Sequence, residues 1–165
     1  MRFATCLAAA VGCLALAITT ASCSTDPPAS ACGDYTPPAG FNATTPAVSF
    51  SKDVMPVFAQ SCAFSTCHGS SVGSPNGVFL GRDAAKVHAA IVGVRGDELT
   101  TMPFVTPGNP RESYLMHKVD GSQCSLDSQC TGGSCQGSMP RNTTLLDVPT
   151  RDIVRRWIAQ GAKND

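Results

Sequence analysis

The chain has 165 residues, room for one domain of ordinary size plus processing segments. Its 12 basic and 12 acidic residues cancel and are scattered rather than blocked, which excludes recognition of nucleic acid or of an anionic surface through bulk charge. Nine cysteines in so short a chain make the redox compartment the first question, because thiols outside the cytoplasm are normally oxidised or bound.

Residues 1–22 read as an export signal: Arg2, an apolar run over 3–18, then the small residues TTAS ahead of Cys23. The run is shorter than a membrane span requires. A signal that ends at a cysteine resembles a bacterial lipoprotein precursor, although Thr20 stands where leucine is usual. The resemblance implies that Cys23 is the lipidated first residue of the mature chain, held in a membrane and facing the periplasm or the cell surface. The stretch 23–46 is rich in Pro, Ala, Ser and Thr without apolar periodicity, so it reads as an extended tether, with the folded domain expected over 47–165.

Four helices are expected in that domain. The first is capped by Ser51, turns Val54, Val57 and Phe58 inward, and delivers the chain into Cys62. The second runs over about 83–92, capped by Asp83, with Val87, Ala90 and Ile91 as its apolar face. Asn109 caps the third, Pro110 takes its first position, Tyr114, Leu115 and Val119 face inward, and Gly121 ends it. His88 and His117, next to or near lysines, read as residues of a solvated helix face, and Met102 as a loop or core residue. The last helix starts near Pro149, carries Ile153, Val154, Trp157 and Ile158 on one stripe, and stops before Gly161. No alternating strand pattern is visible, so the fold class is mainly α with long loops.

Cys6 and Cys13 leave with the signal, and a lipidated Cys23 leaves six cysteines. The loop 121–140 holds three of them, Cys124, Cys130 and Cys135, and is too long to stay ordered without crosslinks. Together with Cys32 they are expected to form two disulfides, with Cys124 joined to one of its two loop neighbours. Cys32, in the tether, is the member least tied to the rest.

The remaining two cysteines stand in QSCAFSTCHGSS, where Cys62 and Cys67 are followed at once by His68. This is a stretched form of C-x-x-C-H, the attachment signature of covalent haem. An ideal helix would turn the second thiol by about 140° and lift it by about 7.5 Å, so the segment between them must leave helical geometry. A disulfide between the same cysteines needs a similar turn, and spacing alone leaves haem and disulfide both open. His68 favours haem, which needs an imidazole there. Zinc would need a fourth ligand from elsewhere.

The stretches DVMPVFAQSCAFSTCHGS, GVFLGRDAAKVHAAIVGV, VTPGNPRESYLMHKVDG, SMP and DIVRRWIAQGAKN occur in an order that resembles the cytochrome c-like domain of exported planctomycete and myxobacterial proteins. The resemblance covers 47–165. It implies a cytochrome c-like helical fold carrying one haem c, with Cys62 and Cys67 as thioether cysteines, His68 as proximal and Met139 as distal iron ligand, and Tyr114 and Trp157 lining or supporting the pocket. The implied function is one-electron transfer to a redox partner protein by a lipid-anchored carrier, with no substrate transformed and no nucleic acid bound. An accessory redox subunit of an exported oxidase or dehydrogenase is a variant of this reading. The alternative is a haem-less lipoprotein binding module in which Cys62 and Cys67 form a disulfide.

Overall fold

The computed structural model describes residues 32–165; the signal and Cys23 lie outside the described residues. Among the described residues one π-helical and four α-helical segments form and no strand does, in agreement with the mainly α expectation. Ser49, not Ser51, caps the first: its hydroxyl accepts the Lys52 amide, and a π-helical turn Phe50–Val54 continues into α1, Met55–Ser61. The Ser51 amide instead donates to the Asp165 carbonyl at 2.9 Å, so the end of the chain seals the start of this helix. α2, Ala84–Ile91, opens on Asp83, whose carboxylate accepts the Lys86 amide.

The helix expected after Asn109 is split in two. Asn109 caps a 3₁₀ turn, Pro110–Glu112, Ser113 is extended, and α3 runs over Tyr114–Asp120 until Gly121 ends it at φ 76°. The break follows from Ser113, whose hydroxyl donates to the Asn109 carbonyl at 2.8 Å and accepts the Thr106 amide at 2.9 Å, competing with the helical ladder. α4, Val148–Ala159, is capped by Asp147, which accepts the Thr150 amide, with Pro149 in its first turn.

The core is centred on α4. Trp157 is fully buried and stacks on Phe50, ring centres 4.8 Å apart, while its indole N–H donates to the Lys163 carbonyl and so leaves no orphaned polar atom. Val87 and Ile91 of α2 and Val154 and Ile158 of α4 complete this centre; burying each such side chain stabilises the fold by about 1.5–3 kcal/mol.

Three further expectations need correction. The tether does not run free up to residue 46, because its part from Cys32 onward is packed into the same unit as the domain. Tyr35 is 2 % exposed, and its hydroxyl accepts the Nε–H of the fully buried Arg155 at 2.8 Å. Gln160 donates to carbonyls of Ala43, Thr44 and Pro46. A proline-rich composition rules out helical periodicity but not docking through single aromatic anchors. Second, Cys124 does not pair within its loop: the disulfides are Cys32–Cys124 and Cys130–Cys135. The 3₁₀ turn Gln123–Gln129 separates Cys124 from its neighbours, and the docked strap brings Cys32 to it. Third, His117 is buried, bonded to the Arg111 carbonyl at 2.9 Å and to the Ser122 hydroxyl at 3.0 Å, and the half-buried His88 reaches the Ala162 carbonyl at 2.8 Å. Neither is a solvated surface residue.

Candidate functional site

The end of α1 builds one wall of a cavity of about 330 Å³. The helix stops at Ser61, Cys62 caps it, and the chain folds back so that the His68 amide donates to the Cys62 carbonyl at 3.1 Å. The Cys67 and Gly69 amides both donate to the Phe64 carbonyl. Gly69 is required for this turn, since a Cβ there would lie 2.3 Å from the Ala63 carbonyl oxygen. The four residues between the cysteines thus form a tight non-helical turn, and both thiols and the imidazole line the same cavity. Cys62 and Cys67 are free thiols, the first buried and the second exposed.

His68 is fixed from two sides. The Leu80 amide donates to its carbonyl at 2.7 Å, and its ring Nδ1 lies 3.2 Å from the Val78 carbonyl, which also accepts the Ser74 hydroxyl. A carbonyl at that distance selects the tautomer protonated on Nδ1, so Nε2 keeps its lone pair.

The same cavity is lined by α3, through Tyr114, Leu115, Lys118 and Val119, and by the segment carrying Met139. The Met139 amide donates to the Lys118 carbonyl at 2.8 Å, which ties the loop to the last turn of α3. Glu98 contributes a buried carboxylate that receives the Tyr114 hydroxyl at 2.7 Å and the Lys118 ammonium at 3.0 Å.

Burial dominates the electrostatics. It pushes the Cys62 thiol up to about 12, with nearby Cys67 adding to the shift, so this sulfur stays protonated at neutral pH. Burial lowers His68, the Val78 carbonyl partly opposes this, and the Lys118 charge lowers it further, so the site favours the neutral ring. Tyr114 is raised by burial and then by its bond to the Glu98 carboxylate, which fixes it as a hydrogen-bond donor.

Of the residues singled out from sequence, Cys62, Cys67, His68, Tyr114 and Met139 share this cavity. Trp157 does not line it; it lies in the core against Phe50. Met102 is a core residue, 9 % exposed. Glu98 and Lys118 were not anticipated as parts of the site. The signal for Lys118 was present, because it stands four residues after the inward-facing Tyr114 on one helix and therefore shares its face. Glu98 lies in an irregular stretch with no period to read.

The donor set is two thiols, one neutral imidazole with a free Nε2, and one thioether, lining a mainly apolar cavity within the usual size range for cofactor sites. These side-chain types are the ones a covalently held haem would need. Among the described residues no group of three or more His, Cys, Asp or Glu side chains is arranged to hold a bare metal ion. In comparisons with known proteins, no family model, no curated protein and no solved structure matches this chain.

Proposed function

We propose that the protein is an exported, lipid-anchored cytochrome c-like electron carrier with one haem c. The observation that carries this reading is the gathering of Cys62, Cys67, His68 and Met139, the first and last of them 77 positions apart in the sequence, around one cavity (about 330 Å³). When bound, haem supplies reversible one-electron chemistry, and a histidine and methionine pair raises its potential, as suits a carrier between redox proteins.

The chain's own residues would do the rest. Cys62 and Cys67 would add their S–H groups across the two vinyl groups, each forming a thioether. His68 would offer Nε2 to the iron, its ring held by the Val78 carbonyl behind it. Met139, which lines the same cavity, would offer a soft thioether. Phe104, Leu115, Val119 and Leu80 would keep water from the ring, while half-exposed Phe64 stands at the rim where a redox partner would approach.

The two unpaired thiols favour this reading over a cofactor-free module with a Cys62–Cys67 disulfide. The test is a pair of absorption spectra from protein made in a haem-attaching host. The unaltered protein should show a low-spin covalent haem spectrum, and His68→Ala should lose the low-spin form. A colourless unaltered protein would leave the disulfide-stabilised binding module in its place.

A further inference from the structure

We propose that Lys118 is the positioning residue for Met139, holding the span 135–139 against the cavity at both ends; the inference rests on the haem reading of that cavity. The Lys118 ammonium donates to the Cys135 carbonyl at 2.6 Å, and its main-chain carbonyl accepts the Met139 amide at 2.8 Å. The Lys118 side chain therefore holds the first member of the span and its main chain the last, so that a substitution of Lys118 releases the Cys135 end and leaves the Met139 amide bonded.

Between those ends little else restrains the chain. Gln136 and Gly137 are exposed, a Cβ on Gly137 would meet nothing within 4 Å, and the further ties are the Gln123 side-chain amide on the Gln136 carbonyl and the Gln136 amide on the local Ser134 hydroxyl, each at 3.2 Å. The Cys130–Cys135 disulfide and the Asp127 carboxylate, which accepts the Cys135 amide at 2.7 Å, anchor only the upstream end. Methionine has three rotatable side-chain bonds, so its sulfur can be aimed only if its backbone is fixed.

Lys118 is itself immobilised. Its ammonium is paired with Glu98 at 3.0 Å, both side chains are less than a tenth exposed, and Tyr114 donates to the same carboxylate. A buried ion pair gains little stability over apolar residues of equal size, whereas a rigid ammonium in a dry wall is a precise anchor for a carbonyl. The buried cluster of Glu98, Lys118 and Tyr114 thus serves the geometry of the distal side.

The test uses the haem-loaded chain with its disulfides intact and the double variant Glu98→Gln/Lys118→Met, which removes both charges together and strands neither. Hydrogen exchange over 135–139 should accelerate at least tenfold while α4 is unchanged. The near-infrared methionine-to-iron band should be lost, and the oxidised protein should bind added imidazole at least tenfold more tightly. Equal acceleration in both regions, or in neither, would overturn the proposal by reducing Lys118 to a general structural role. So would an unaltered band and imidazole affinity beside faster exchange at 135–139. If the unaltered protein carries no haem, the functional reading fails, and the exchange comparison still decides whether Lys118 holds the segment.

Discussion

The Cys32–Cys124 disulfide should be the most stabilising single crosslink in the domain. It closes a separation of 92 residues, against 5 for Cys130–Cys135. In the chain-entropy treatment the longer loop contributes at most ~4.6 kcal/mol and the shorter ~2 kcal/mol, since the denatured chain loses more freedom when distant points are joined. With a urea dependence of about 2 kcal/mol per molar, Cys32→Ser/Cys124→Ser should lower the unfolding midpoint by about 2 M and Cys130→Ser/Cys135→Ser by about 1 M. The strap adds a local consequence. Tyr35 would then be held only by Arg155 and by packing, so cleavage by chymotrypsin at Tyr35 should become faster in the first variant and not in the second. The comparison is to be made by circular dichroism at one fixed state of haem loading. A midpoint shift in the long-loop variant no larger than that in the short-loop variant would refute the claim that the strap is part of the cooperative unit.

Met139→Ala should abolish the near-infrared methionine band and lower the potential with the haem still attached, whereas Met102→Ala should leave the band and cost about 2–5 kcal/mol of stability, as loss of a buried core side chain does. The reverse pattern would move the distal ligand to Met102. In haem-free protein at pH 8, iodoacetamide should modify exposed Cys67 at least ~10 times faster than Cys62, whose buried thiol, raised to about 12, is almost wholly protonated there; equal rates would contradict the burial of Cys62. Replacing Cys23 with serine should release the protein from membranes, and an unchanged membrane fraction would dispose of the lipid anchor.

The helices were legible because their signals are local. Asp83 and Gly121 act at the termini where the sequence puts them, and the stripe of Val154, Trp157 and Ile158 is buried as its spacing requires. What escaped was non-local. Tyr35 carries no periodicity, and its burial depends on Arg155, 120 positions away. The pairing of Cys32 with Cys124 depends on the same docking. The split after Pro110 turned on one hydroxyl, that of Ser113, bonding across to Thr106. At the site, Cys62, Cys67, His68 and Met139 were named from chemistry and order. Glu98 was hidden, and the helical spacing that puts Lys118 on the face of Tyr114 was outweighed, because charged residues are ordinarily read as surface and only their mutual pairing takes them inside.

The most direct test of the account is the mass of one tryptic peptide. Cleavage after Lys52 and Arg82 yields peptide 53–82, which contains Cys62, Cys67 and His68 and no other cysteine. From protein made in a host that attaches haem, and without reduction, this peptide should weigh one whole haem more than its sequence, because both S–H groups add across vinyl groups and nothing is lost. A peptide two hydrogens lighter than its sequence, joined as a Cys62–Cys67 disulfide, would contradict the account.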